Sequence, residues 1–168
     1  MLDAIGTLAR VGLAAVWLIS GAVKLAEPGQ TYIAVQAYDV LPHGLVGVVA
    51  TALPVVELLL GLALLAGVAT RYVAGAALVL LLVLIAGIAQ SWARGLSIDC
   101  GCFGGGGQVA QGQTQYPQEI LRDSGFALLA VWLLVRPRTW FSVDGWLKGG
   151  RGNSAEPEHD YSGVAEGN

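Results

Sequence analysis

Four apolar stretches, each long enough to cross a lipid bilayer, constrain the fold of this 168-residue chain more than any other feature. A membrane-spanning helix needs about 20 predominantly apolar residues, and a backbone inside lipid must satisfy its own hydrogen bonds. We therefore predict an all-α fold, a bundle of four transmembrane helices. The predicted helices cover residues 5–24, 45–68, 72–93 and 118–135.

The composition supports a membrane protein. The chain is 55% hydrophobic and 12% charged, with a mean hydropathy of +0.63, whereas soluble domains carry about a quarter charged residues. The lipid bilayer is therefore its first expected partner. The chain has no basic patch, which argues against nucleic-acid binding. No positive cluster precedes the first apolar stretch, so we predict a retained helix and not a cleaved signal peptide.

The remaining segments organise the chain around this bundle. Residues 1–140 form the predicted transmembrane domain, in which residues 94–117 are a long loop that is rich in Gly and Gln. Residues 141–168 are predicted to be an interfacial segment followed by a disordered cytoplasmic tail, because the chain becomes polar and small there.

The orientation follows from the basic residues, since short cytoplasmic loops are enriched in Lys and Arg. With four helices, both termini share one side of the membrane with Arg71, Arg136, Arg138, Lys148 and Arg151. Three basic residues fall near the other side, namely Lys24, Arg94 and Arg122. We predict a multi-pass protein of the cell membrane, with both termini cytoplasmic and the long loop extracytoplasmic.

Charged residues inside the predicted helices face a bundle interior or a cavity, because charge is costly in lipid. Arg10 and Lys24 fall on one stripe of the first helix, and Glu57 lies near the middle of the second. An Arg10–Glu57 pair is geometrically feasible, and Lys24 and Arg94 would gather at the outer mouth. These charges either fix helix register or line a polar cavity that suits a proton or a quinone head group.

The last helix carries a charged face near its outer end. Glu119, Arg122, Asp123 and Phe126 share that face by helical spacing. Together with Lys24 and Arg94, Arg122 would provide the electrostatic surroundings of the neighbouring loop. Asp123 is a further candidate for electrostatic support.

Cys100-Gly101-Cys102 is the motif that carries chemistry, and it holds the two cysteines of the sequence. Thiol chemistry needs a thiolate and access, and a loop outside the membrane would provide access. A disulfide between residues two apart closes a small, strained ring, which is easily reduced. The run Gly104 to Gly107 would add freedom for a partner to approach. Thiol–disulfide exchange is thus the favoured function of Cys100 and Cys102.

The cysteine pair has two other interpretations. A zinc or copper site would need more ligands, and the histidines of the chain, His43 and His159, are poorly placed to supply them. Two surface cysteines without function are the other alternative. We predict no metal site.

The chain resembles the DoxX and MauE membrane proteins over roughly residues 5 to 136. The residues that carry the resemblance are, in chain order, Arg10, Ser20 to Leu25, Pro28, Tyr38 to Pro42, Leu53 to Glu57 and Gly61. Arg94-Gly95, Cys100 to Gly104 and Arg122-Asp123 resemble the MauE branch in particular.

The resemblance implies a four-helix membrane bundle with a role in extracytoplasmic thiol redox, commonly beside a thioredoxin-fold partner. Quinone is the candidate cofactor that it suggests. Quinone-linked disulfide generators with four-helix bundles typically carry two cysteine pairs, whereas this chain has one pair. In a complete relay, either Cys100 and Cys102 would serve both steps or a partner would supply the second pair.

Two functions of different classes follow. The first is an oxidoreductase component that exchanges electrons through Cys100 and Cys102 with a thioredoxin-like protein, with neither direction nor attacking cysteine assigned. The second is a non-catalytic accessory or assembly subunit of a membrane complex, whose small residues on the third helix would allow close helix contact. A transporter is the third and weakest interpretation, because only Arg10 and Glu57 favour it.

Overall fold

The structure, a computed structural model, describes residues 2–102, 104–110 and 112–136. The described residues form five helices and one small antiparallel sheet. In chain order the elements are α1 Leu2–Ala26, α2 Pro28–Ala37, α3 His43–Ala66, α4 Thr70–Ala93, β1 Ile98–Asp99, β2 Gly107–Gln108 and α5 Tyr116–Val135. The predicted interfacial segment and tail, residues 141–168, lie outside the described residues.

The helices α1, α3 and α4 are long and apolar enough to cross a membrane. They overlap the first three predicted stretches, and the chain is a multi-pass membrane protein. The helix α5 overlaps the fourth stretch, but it does not meet the same criterion of length, hydropathy and few charges. Three charged residues, Glu119, Arg122 and Asp123, lie in its first two turns. Large apolar side chains remain exposed on the helices, as a lipid-facing surface requires: Leu8, Leu59, Val83 and Leu128.

A short connection makes α3 and α4 antiparallel neighbours. Gly67, at φ 68°, ends α3 in the left-handed conformation. Its N–H donates to Leu64 O, and the Val68 N–H donates to Ala63 O, which is a Schellman motif. The helix α4 then begins at Thr70. The connector between the first two predicted spans contains a helix that the sequence analysis did not predict, α2, with Pro28 at its first position, where proline is favoured.

The helix α1 packs mainly against α3, and α4 packs mainly against α5. Two glycines set the distance and the register between α1 and α3. A Cβ atom on Gly21 would lie 2.9 Å from Leu58 Cγ, and one on Gly61 would lie 2.7 Å from Leu18 Cγ. The backbones therefore approach as closely as small residues allow.

The long loop folds against the end of this bundle as a β-hairpin. Ile98 pairs with Gln108 and Asp99 with Gly107, so that the described residues 100–102 and 104–106 lie in the hairpin loop. The Gln30 side chain of α2 donates to Gly106 O at 2.6 Å. The Tyr116 hydroxyl of α5 accepts from Ile98 N–H and donates to Leu96 O.

The glycines of this hairpin shape the backbone. Gly101, Gly104, Gly105, Gly106 and Gly107 all have φ between 66° and 100°, a region that other residues rarely adopt. The sequence analysis interpreted Gly104 to Gly107 as a source of freedom for a partner; in the structure they form a folded hairpin backbone. Positive φ favours glycine at each position, and close contacts of an added Cβ add to this at Gly104, Gly106 and Gly107.

Candidate functional site

Cys100 and Cys102 lie in the hairpin loop, where both are free thiols. Cys100 is 9% exposed and Cys102 is 7% exposed. The backbone N–H of Cys102 donates to Cys100 Sγ at 3.4 Å, and Arg122 Nη2 lies 3.8 Å from the same sulfur. The thiols are thus held inside the protein. A mobile loop would instead present them freely to solvent.

The two thiols differ in their acidity. The hydrogen bond from the Cys102 thiol lowers the pKa of Cys100, and Arg122 acts in the same direction. The same hydrogen bond and burial raise the pKa of Cys102. Cys100 is therefore the more acidic thiol of the pair, and the thiolate is the nucleophile in exchange reactions. Of the three predicted basic neighbours, Arg122 lies at the Cys100 sulfur, Lys24 lowers the pKa of Cys102 by its charge, and Arg94 is paired with Asp39.

This asymmetry predicts the pH dependence of alkylation. Because its pKa is lowered, Cys100 should react with iodoacetamide at a lower pH than an ordinary thiol. Replacing Cys102 with Ala removes the donor, so the midpoint for Cys100 should move to higher pH. Mass spectrometry of the alkylated peptides measures both midpoints. Arg94→Gln is the control and should leave the midpoint in place; an unchanged midpoint in Cys102→Ala would contradict the assignment.

A polar cavity of about 1140 Å³ reaches the cysteines. Its lining includes both cysteines, Glu119 and Arg122, and a rim of residues with amide or hydroxyl side chains: Gln113, Thr114, Gln115 and Gln118. Amide and hydroxyl groups suit the hydrogen bonds of a polypeptide backbone. The lining does not fit the apolar ring and tail of a membrane quinone.

A buried polar network holds the other side of the cysteine loop. Lys24 Nζ lies 2.8 Å from Glu57 Oε1 and donates to Ser20 Oγ at 2.6 Å. Both Lys24 and Ser20 donate to the carbonyl oxygen of Cys102, at 3.2 and 2.7 Å. The Glu57 side chain is fully buried. This network ties the cysteine loop to α1 and α3.

The predicted Arg10–Glu57 pair is wrong, because the ion-pair partner of Glu57 is Lys24. The contacts of Leu18 with Gly61 and of Gly21 with Leu58 set the register. The helix α2 packs against α3, with Tyr32 beside Gly47 in the first part of α3. The helix α1 therefore ends level with the middle of α3, where Lys24 meets Glu57. Arg10 is buried on the same helix, 14 residues or about 21 Å before Lys24. Lys24 is likewise buried and does not lie at an open mouth.

Arg94 lies at the rim of the site. Its Nη2 is 2.7 Å from Asp39 Oδ2, and both side chains are exposed. Arg94 thus fastens α4 to the connector that follows α2. Arg122 Nε in turn lies 2.9 Å from Asp123 Oδ1, so the predicted pair on α5 does lie beside the cysteines.

Three residues at the site were not among the predicted site residues: Ser20, Tyr38 and Glu119. Ser20 precedes Lys24 by one helical turn, and Glu119 shares a face with Arg122, so helical spacing contained a signal for both. The Tyr38 hydroxyl donates to Cys100 O at 3.2 Å. Burial raises the pKa of Tyr38 and keeps this hydroxyl a donor.

Asp99, Cys100 and Glu119 each bring one ligand-type atom within 4.8 Å of the others. A structural zinc site takes four protein ligands, and the Arg122 guanidinium, which lies 3.8 Å from the same sulfur, would repel a cation. The arrangement favours exchange of protons among these groups over binding of a metal ion.

The family model described as methylamine utilisation protein MauE matches residues 2–136 of the chain. This range contains all five helices and both cysteines. No curated protein and no solved structure gives a significant match. The similarity to DoxX proteins rests on the sequence motifs alone.

Proposed function

Given that the chain belongs to the MauE family, we propose that it is an integral membrane thiol–disulfide redox protein. Cys100 and Cys102 would exchange electrons with an extracytoplasmic thioredoxin-fold partner. One observation carries this proposal: a hydrogen-bonded thiol pair beside Arg122 lines a polar cavity of about 1140 Å³.

The proposal includes a topology. The helix α5 would be the fourth membrane-spanning helix, because it packs against α4 and α1 and its charges face the cysteine loop. Four spans put both termini on one side, and the basic residues favour the cytoplasm for that side. The hairpin would then face the extracytoplasmic space, where disulfides persist.

The chemistry follows from the asymmetric thiols. The Cys100 thiolate attacks one sulfur of the partner disulfide, a mixed disulfide forms, and the other partner sulfur leaves as a thiolate. Cys102 then loses its proton and attacks Cys100 Sγ, which releases the second partner thiolate. Two electrons pass from this chain to the partner, and the reverse sequence reduces Cys100–Cys102. The three-residue ring is strained, so the reverse step is accessible.

A quinone acceptor would have to act through the partner, because the polar cavity does not fit it. The chain has one cysteine pair, so the partner would supply the next thiols of the relay. We route no step of the reaction through quinone.

Trapping tests the proposal. With Cys102→Ser, the attacking sulfur remains and the resolving sulfur is lost, so a mixed disulfide between Cys100 and an extracytoplasmic thioredoxin-fold protein should accumulate. Cys100→Ser should trap far less, because the remaining thiol has a raised pKa. Non-reducing electrophoresis with mass spectrometry identifies the trapped protein, and its compartment also tests the topology.

The double variant Cys100→Ser/Cys102→Ser is the matched control. It should trap nothing and should fail to restore function to cells that lack the wild-type chain. Full function of the double variant would refute the redox proposal. That outcome would favour an accessory or assembly subunit, in which the hairpin is a docking element.

A further inference from the structure

The carboxylate of Glu119 lies against the attacking thiol. Its oxygen and Cys100 Sγ lie within 4.8 Å of each other, a separation that one water or a small side-chain movement can bridge. Glu119 is 8% exposed, on the first turn of α5. Within the described part of the chain, its Oε2 is buried and has no hydrogen-bond partner. An ionisable group is thus held, largely desolvated, beside a reactive sulfur.

The other carboxylates at the site have other contacts. Asp123 Oδ1 is paired with Arg122 at 2.9 Å. Asp99 Oδ1 accepts the N–H of Gly101 at 3.3 Å, which supports the hairpin loop. Asp99, Cys100 and Glu119 form one cluster. Glu119 is the buried carboxylate of that cluster.

Several charged or titratable groups surround this carboxylate and the thiols. They are Asp99 on β1, Cys100 and Cys102 in the hairpin loop, Arg122 and Asp123 on α5, Tyr38 after α2, and Lys24 on α1. Lys24 is paired with Glu57 and Arg122 with Asp123. These cations are therefore donors that orient other groups, and neither can accept a thiol proton.

Conversion of the dithiol to a disulfide requires two thiol protons to leave a site that solvent barely reaches. We propose that Glu119 is a catalytic residue that takes the proton of Cys100 and returns it to the departing thiolate of the partner. This inference rests on the proposed thiol–disulfide exchange and assigns to it a proton acceptor.

The steps balance as follows. Cys100–SH gives its proton to the Glu119 carboxylate, and the resulting thiolate attacks the partner disulfide; one S–S bond forms and one breaks. The first partner thiolate takes the proton of Cys102–SH. The Cys102 thiolate attacks Cys100 Sγ, and the second partner thiolate leaves with the proton held by Glu119. The partner disulfide is reduced to a dithiol, Cys100–Cys102 is oxidised, and Glu119 is ionised again.

A comparison of two oxidants distinguishes proton delivery by Glu119 from the other effects of this residue. Glutathione disulfide releases a basic thiolate that must be protonated, whereas dithiodipyridine releases a group that leaves without a proton, and leaving-group acidity governs exchange rates. With reduced, purified protein in detergent, Glu119→Gln should slow the reaction with glutathione disulfide about 10-fold or more, as general acid–base catalysis predicts. The reaction with dithiodipyridine should stay within about twofold of wild type. Cys102 and Arg122 still stabilise the Cys100 thiolate in this variant, its proton can go to water, and the leaving group needs no proton.

Two further variants complete the test. Glu119→Asp keeps an acid one methylene shorter and should recover part of the rate with glutathione disulfide. Glu27→Gln removes an exposed carboxylate and should change neither rate. The rate of reaction with glutathione disulfide should also be measured against pH. The part of this pH profile that is due to acid catalysis should disappear in Glu119→Gln and persist in the other two variants.

The outcomes are distinguishable. Equal slowing with both oxidants, or no slowing with either, overturns the role of Glu119. If wild-type protein reacts with neither disulfide, or reacts equally without Cys100 and Cys102, the proposed exchange function itself fails.

Discussion

Replacing Lys24 with Met is expected to lower the free energy of unfolding by about 3–5 kcal/mol, because it leaves a buried charge without its partner. Lys24 Nζ lies 2.8 Å from Glu57 Oε1, and the two side chains are 8% and 0% exposed. The substitution also removes one of the two side-chain donors to the Cys102 carbonyl. Stability and the position of the cysteine loop should therefore change together.

Unfolding in mixed micelles with increasing SDS, followed by circular dichroism, measures this loss. Arg94→Met is the matched control, because it breaks an exposed ion pair with Asp39 and should cost about 1 kcal/mol or less. The double variant Lys24→Met/Glu57→Leu should recover most of the loss, since an apolar pair can replace a buried ion pair. Equal effects of Lys24→Met and Arg94→Met would contradict the importance of the buried network.

Replacing Gly106 with Ala should destabilise the hairpin by about 2–5 kcal/mol, the sum of a left-handed backbone penalty and an overpacking penalty. Gly106 has φ 97°, and a Cβ atom there would lie 2.7 Å from Ala34 Cβ and 2.8 Å from Gly101 Cα. The second contact is with backbone inside the Cys-Gly-Cys motif. Relief of this steric overlap would therefore displace the segment that holds the thiols. Alkylation of Cys102 should then become faster.

Gly105→Ala separates packing from backbone strain. Gly105 also has a positive φ, of 70°, but the nearest atom to its added Cβ is Asp99 Oδ2 at 3.7 Å. This variant should therefore show only the backbone penalty, about 1–2 kcal/mol. Alkylation rates of both cysteines, measured beside SDS unfolding, compare the two variants. If they behave alike, the close contact of Gly106 with Gly101 is not what holds the loop.

Much of the helical framework and the identity of the reactive group could be predicted from local patterns. Apolar length identified the segments that became α1, α3 and α4, because a spanning helix is defined by length and composition alone. The spacing of Cys100 and Cys102 identified the thiol chemistry that we propose. Helical periodicity also placed Glu119 on the face of Arg122, although it assigned Glu119 no function.

The partners of the charged residues could not be predicted in the same way. Helical spacing shows which side chains share a face of one helix, but it does not show how far a neighbouring helix is shifted along it. That shift depends on α2, which lies beside the first part of α3, and on the glycine contacts between α1 and α3. It brings Lys24, and not Arg10, level with Glu57.

The sequence by itself determined that this chain is helical, belongs in a membrane and carries one close thiol pair, because length, composition and spacing are local properties. Only the tertiary structure decided that the thiols are buried in a hairpin, with Arg122 and Glu119 beside Cys100 and with Lys24 beneath Cys102. Those neighbours come from distant parts of the chain. Their meeting depends on how the helices pack and on glycine conformations that let the hairpin fold back onto the bundle.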